Sequence, residues 1–123
     1  MIVDDSVAFL AAAQRLLERQ GFTVVGVASN GDDAIRKLQE LRPDVVLVDI
    51  DLGGESGLEV AQRLDGRAGT ASTPIVLIST HAEEDYRDLI AESPAIGFVP
   101  KAELSARAIE DLLGRAPNAT QGT

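Results

Sequence analysis

The chain has 123 residues, about one domain's worth, enough to bury roughly two thirds of its unfolded surface around a single core. Apolar residues make up 45% and charged residues 25%, with a mean hydropathy of +0.06, a folded globular composition and not that of a disordered chain. A net charge of −9 argues against direct nucleic-acid binding and against anionic membrane surfaces, and the lack of cysteine removes disulfides, thiolate metal sites and a Cys nucleophile. The missing cysteines also suit a reducing compartment. No basic stretch leads into an apolar run at the start, and nothing approaches about eighteen consecutive apolar residues, so the reading is a cytoplasmic chain without secretion signal or membrane span.

Along the chain, short apolar runs alternate with helical patterns. Ile2 to Val3 is the first strand candidate. A pattern with Phe9, Leu10, Ala13, Leu16 and Leu17 on one face follows, with Ser6 as N-cap and Gly21 as stop. Thr23 to Ala28 is the second strand candidate; Ala34, Ile35, Leu38 and Leu41 form the next helical face before Pro43. Val45 to Val48 is the third strand, followed by a shorter helix carrying Leu58, Val60, Ala61 and Leu64 and stopping before Gly66. Ile75 to Ile78 and Ile96 to Val99 complete the strands, with helices at Glu83 to Ala91 and Ser105 to Leu113. Near-continuous apolar strands alternating with helices argue an α/β fold, a (βα)5 doubly wound parallel five-stranded sheet covered on both faces. Residues 1–114 form the domain; residues 115–123, rich in Pro, Asn, Thr and Gly, read as a flexible tail or the start of a linker.

In such sheets functional groups gather beyond the carboxyl ends of the strands. Reading only those ends gives Asp4 and Asp5, then Asp49 and Asp51, then Ser79 and Thr80, then Lys101. A single Asp after a buried strand commonly caps a helix. Several converging carboxylates instead repel one another and raise their pKa values unless a cation neutralises them, and an all-oxygen set of this kind suits Mg²⁺. Phosphoryl chemistry is the natural suggestion, and a carboxylate can itself attack phosphorus. Lys101 stands out among nine Arg and only two Lys. Its ammonium can pair with a carboxylate before reaction and a phosphoryl oxygen after it.

Ile2-Val3-Asp4-Asp5-Ser6, Arg42-Pro43-Asp44-Val45-Val46-Leu47-Val48-Asp49, Pro74-Ile75-Val76-Leu77-Ile78-Ser79 and Gly97-Phe98-Val99-Pro100-Lys101 together closely resemble the receiver domain of two-component response regulators. The separations of 44, 30 and 22 residues between Asp5, Asp49, Ser79 and Lys101 are those of the family, and the resemblance runs from residue 2 to about 114. It implies a flavodoxin-like strand order 2-1-3-4-5. It further implies that Asp49 is the phosphoacceptor, taking a phosphoryl group from a phosphohistidine of a sensor histidine kinase or histidine phosphotransfer protein. Asp4, Asp5, Asp49 and the backbone carbonyl of Asp51 would hold Mg²⁺, and Lys101 and the Ser79 hydroxyl would bind phosphoryl oxygens. Ser79 and Phe98 would be the switch pair, the aromatic moving inward as the hydroxyl is drawn to the phosphoryl group, and Gly57 matches the family's loop glycine, where a positive φ is plausible. The chain would be a signalling domain, not an enzyme beyond its own phosphotransfer and autodephosphorylation.

Departures from the family pattern carry expectations too. The first strand is short, and Leu52, Gly53 and Gly54 replace the usual Met-Pro, so a more flexible loop is expected. Ala102 follows Lys101 where Pro is common, which leaves the geometry of that peptide bond open. His81 lies two residues past Ser79, as Asp51 lies two past Asp49, and would tune acyl-phosphate lifetime with pH if it met Asp51 and the phosphoryl group. A haloacid-dehalogenase-type phosphohydrolase shares the Asp49-Ile50-Asp51 pattern but places its paired acids last in the chain, and a flavin-binding module would need a phosphate-cradling loop after strand one. With no helix-turn-helix candidate past residue 114, the chain reads as a stand-alone receiver or a piece of a longer regulator. Residues 83–113, including Tyr86, would be its face for a homodimer or a partner.

Overall fold

A computed structural model of the chain describes residues 1–67 and 73–115. The strands are β1 Ile2–Val3, β2 Val27–Ala28, β3 Val46–Asp49, β4 Ile75–Ser79 and β5 Gly97–Pro100. The helices are α1 Val7–Arg19, α2 Gly31–Leu41, α3 Gly57–Arg67, α4 Arg87–Glu92 and α5 Ala106–Arg115. Every pairing is parallel, in the order β2-β1-β3-β4-β5, so the expected doubly wound (βα)5 sheet is what the chain forms.

The side-chain period of two divides the strands between two cores. Val3, Val46, Val48, Ile75 and Leu77 pack with Ala34, Leu38, Val60, Ala61 and Leu64 of α2 and α3. Ile2, Leu47, Val76, Ile78 and Val99 pack instead with Leu10, Ala13, Leu17 and Ile109 of α1 and α5. Strands buried on both faces explain why these segments read as unbroken apolar runs.

Local chemistry sets the helix ends. The Ser6 hydroxyl accepts from the Phe9 N–H at 3.2 Å at the start of α1, and Asn30 Oδ1 accepts from the Asp33 N–H at 2.8 Å at the start of α2. Gly21, at φ +101°, turns the chain out of α1, and Arg42 takes a left-handed conformation, φ 48°, before Pro43.

Several boundaries differ from the sequence reading. β2 is two residues long, not six, because β1 offers it only Ile2 and Val3 as partners. β3, β4 and β5 each run one residue further than their apolar runs, which puts Asp49 opposite Ile78 and Ser79 opposite Pro100 inside the ladder. The chemistry-bearing residues are therefore fixed by sheet hydrogen bonds. α3 continues through Gly66 to Arg67, since glycine weakens a helix without forbidding it and buried Val60, Ala61 and Leu64 hold it to the sheet. The expected fourth helix splits into a 3₁₀ turn, Glu83–Asp85, and α4, because Tyr86 is not helical at φ −128°. α5 takes in Arg115, the first residue of the expected tail; residues 116–123 lie outside the described residues. Among the described residues no peptide bond is cis, that after Lys101 included.

Candidate functional site

The strand order reverses between β1 and β3, and the acids stand at the carboxyl ends of these two strands. Asp4 is fully buried; its backbone N–H donates to Ala28 O, and its Oδ1 accepts from the Ser6 N–H at 2.8 Å. Asp49, 6% exposed, ends β3, and its Oδ1 accepts from the Asp51 N–H at 3.0 Å. Asp5 is exposed beside them. Carboxylate oxygens of Asp4, Asp5 and Asp49 all lie within 4.8 Å of one another. Lys101, just past β5, reaches across with Nζ 2.9 Å from Asp49 Oδ2 and 2.7 Å from Asp4 Oδ2.

Burial of Asp49 disfavours its charged form and, with the Asp4 charge, outweighs the Lys101 ammonium and the Asp51 N–H, so its pKa lies above the ordinary carboxylate value. Burial works against the Lys101 charge as well, but the Asp4 and Asp49 carboxylates more than offset it and hold its pKa above the usual lysine value. The ammonium also lies 4.2 Å from the centre of the Phe9 ring, a cation–π contact. Asp4 Oδ2 is buried, and the Lys101 ammonium 2.7 Å away is its ion-pair partner. Three converging carboxylates facing a single ammonium keep an excess of negative charge and form an all-oxygen set suited to a hard divalent cation.

The loop after β3 closes on the site. Leu52 N donates to Glu55 O at 3.0 Å, Gly53 N donates to Asp51 Oδ1 at 3.1 Å, and Asp51 pairs with Ser56 in an antiparallel bridge. These bonds tie down a loop whose two glycines read as flexible. Glycine is required here for two different reasons. Gly53 has φ +76°, and a Cβ there would lie 2.9 Å from Asp5 Oδ2. Gly57 does not take the positive φ suggested for it; its need is steric, because a Cβ would fall 1.8 Å from the Asp49 carbonyl oxygen.

Ser79 is buried at the end of β4, and its Oγ accepts from the His81 N–H at 3.0 Å. Phe98, on β5 next to it, is packed in the core with Val48, Ile50 and Leu77. The exposed His81 ring meets Tyr86 edge to face, with Nδ1 3.4 Å from the Tyr86 hydroxyl. Tyr86 is half-buried, and Leu89 on α4 is 51% exposed.

The structure thus gathers Asp4, Asp5, Asp49 and Lys101 at one point, with Asp51 on the adjoining loop and Ser79 and Phe98 on the neighbouring strands. Two neighbours were not singled out from the sequence. Phe9 read as one more apolar residue of a helical face, and its spacing gave no sign that it underlies Lys101. Glu55 carries no motif of its own, yet its Oε1 accepts from the Gly31 N–H at 2.8 Å across 24 residues of chain.

The profile of the response regulator receiver domain matches residues 1–113. The DNA-binding transcriptional activator EvgA of Escherichia coli K12 is 30% identical over 103 residues, which are 84% of this chain and 50% of EvgA. The response regulator UvrY of the same organism is 32% identical over 102 residues, 82% of this chain and 46% of UvrY. This chain therefore spans about half the length of these curated relatives. A crystal structure of a LuxR-family two-component response regulator from Aurantimonas superposes with a TM-score of 0.81 at 32% identity, covering 98% of this chain and 91% of that one. Profile, relatives and fold agree with the site: the chain belongs to the response regulator receiver domains of two-component systems.

Proposed function

We propose that Asp49 accepts a phosphoryl group from a phosphohistidine of a sensor histidine kinase or histidine phosphotransfer protein, in a Mg²⁺-dependent reaction that switches the domain. The observation that carries this reading is Lys101, whose single ammonium faces both Asp4 and Asp49 at ion-pair distance. Asp49 is held by both oxygens, Oδ1 by the Asp51 N–H and Oδ2 by Lys101, which fixes the carboxylate for attack on phosphorus. Asp4, Asp5, Asp49 and the Asp51 backbone carbonyl would hold the cation; when bound, it supplies the positive charge that lets an anionic phosphoryl group approach these carboxylates.

As the new P–O bond forms and the P–N bond of the donor phosphohistidine breaks, the imidazole leaves with that electron pair, and Lys101 shifts from Asp49 Oδ2 to one of the oxygens of the transferred phosphoryl group. The Ser79 hydroxyl, free to rotate away from the His81 N–H, donates to another. That rotation changes the packing beside Phe98, and the pair forms the two-state element. Output passes through residues 83–113, where exposed Leu89 and half-buried Tyr86 offer a face for a partner or a second copy. Direct contact with nucleic acid by this chain stays disfavoured by its charge of −9. Incubation with a small phosphodonor and Mg²⁺ followed by borohydride reduction, which converts an aspartyl phosphate to homoserine, tests the acceptor. Peptide mass analysis is expected to find homoserine at position 49; homoserine at Asp4, Asp5 or Asp51 instead would refute the assignment.

A further inference from the structure

The loop from Asp51 to Ser56 carries one of the proposed cation ligands, the Asp51 carbonyl, and rests against another. A Cβ at Gly53 would lie 2.9 Å from Asp5 Oδ2, so the Gly53 backbone and the Asp5 carboxylate share one small space. Two adjacent glycines give this stretch the largest backbone freedom a chain can have, which must be removed before the carbonyl can serve as a fixed ligand. Bonds inside the loop close it on itself, and the Asp51 N–H ties its start to Asp49 on β3, but none of these bonds reaches α2.

The side chain of Glu55 supplies that anchor. Its Oε1 accepts from the Gly31 N–H at 2.8 Å, at the first turn of α2, where backbone N–H groups lack helical partners. Its Oε2 lies 3.9 Å from Arg63 Nη1 on α3, and Arg63 Nη2 donates in turn to Asp32 Oδ1 at 2.9 Å. Gly31 makes room for the contact: a Cβ there would meet Glu55 Oε2 at 2.8 Å and Val60 Cγ2 at 2.9 Å. The Glu55 backbone meanwhile accepts from the Leu52 N–H, and Leu52 is buried in the core. One residue thus joins the loop's own turn to two helices.

We propose that Glu55 is a positioning residue, whose hydrogen bond to the amino end of α2 fixes the 51–56 loop against Asp5 and so sets the affinity of the acid cluster for a divalent cation. The inference rests on the cation reading of the site given above. Charge and geometry separate cleanly between two variants. Glu55→Gln keeps an acceptor for the Gly31 N–H and loses the charge; Glu55→Ala loses both.

The experiment compares the intact chain with Glu55→Gln and Glu55→Ala in three ways: Mg²⁺ affinity by titration calorimetry, urea unfolding in chelator, and amide exchange of residues 50–57 in metal-free protein. Glu55→Ala is expected to bind Mg²⁺ about tenfold more weakly, with faster exchange at Leu52 and Gly53, while Glu55→Gln stays within about twofold of the parent. Unchanged affinity in Glu55→Ala would overturn the proposal, even if exchange rises. Equal weakening in both variants would also overturn it, because charge alone would then be responsible. A loss that tracks global unfolding in urea would reduce Glu55 to a stabilising contact and overturn it as well. Failure of the parent chain itself to bind Mg²⁺ would instead remove the cation reading, and this proposal with it.

Discussion

The Lys101 ammonium lies 2.9 Å from Asp49 Oδ2, joining the last strand to the central one across 52 residues of sequence. The same ammonium neutralises fully buried Asp4 at 2.7 Å. Lysine at this position therefore has a folding role before it has any chemical one. Removing one partner of a buried ionic group leaves an uncompensated charge, which costs about 3 kcal/mol or more. Lys101→Met is expected to lose about that much in urea unfolding with chelator present and to regain part of it when Mg²⁺ is added. A loss under about 1 kcal/mol, indifferent to Mg²⁺, would show that the ion pairs do not hold the site together.

Asp49 makes the opposite prediction. Its pKa is raised in the fold by burial, so the native state binds more protons than the unfolded chain above the ordinary carboxylate range. The stability this group contributes is complete at low pH and is lost as pH rises through the raised value. Asp49→Asn escapes that loss. In chelator at pH 7 the variant is expected to be more stable than the parent, because it carries no charge into the buried site. The difference should shrink as pH falls through the raised value, where the parent carboxyl takes up its proton. Urea unfolding across that range checks both sign and slope; a variant less stable at pH 7 contradicts the account.

The glycines of the β3–α3 segment differ in what they tolerate. Gly57→Ala would drive a Cβ to 1.8 Å from the Asp49 carbonyl oxygen, so backbone must move at the site itself. Thermal or urea unfolding is expected to show a loss of about 3 kcal/mol or more, or no folded protein. At Gly54 a Cβ meets nothing within 4 Å and φ is not positive, so Gly54→Ala should stay within about 0.5 kcal/mol of the parent. Similar effects for the two would contradict the steric reading.

How much of this was written in the sequence depends on the kind of feature. The alternating elements and layers followed from apolar runs such as Val46 to Val48 and from helical faces such as Leu10, Ala13 and Leu17, because burial on both faces of a parallel sheet leaves a local pattern, whereas the strand order 2-1-3-4-5 came from the resemblance to receiver domains. Asp4, Asp49 and Ser79 were legible because each directly follows such a run, and Lys101 because only Pro100 separates it from the last of them. The extent of β2 was not, since Thr23 to Val25 have strand-like composition and the limit is set by the length of a different strand. Gly57 illustrates the same point: its spacing marked it, but the reason glycine is needed there lies in the approach of the Asp49 carbonyl. Long-range partners such as Glu55 with Gly31, or Phe9 beneath Lys101, leave no local signal, because either residue would suit its own element equally well without the other.

Tyr86 offers a native probe of the switch. It is the only tyrosine in a chain with no tryptophan, and its hydroxyl lies 3.4 Å from the His81 ring, whose backbone N–H donates to Ser79 Oγ. Rotation of the Ser79 hydroxyl toward a phosphoryl group frees that N–H and disturbs the His81–Tyr86 contact. Tyrosine emission is expected to change on addition of acetyl phosphate and Mg²⁺ to the parent and to stay constant in Ser79→Ala. An equal change in both would separate Tyr86 from the Ser79 hydroxyl.

Intact-protein mass after incubation with Mg²⁺ and acetyl phosphate tests the central claim most directly. The account predicts a single labile phosphoryl adduct on the parent chain, lost when Mg²⁺ is chelated and lost again in Asp49→Asn. An adduct that survives the Asp49→Asn substitution or forms equally in chelator, or no adduct on protein shown to be folded, would contradict it.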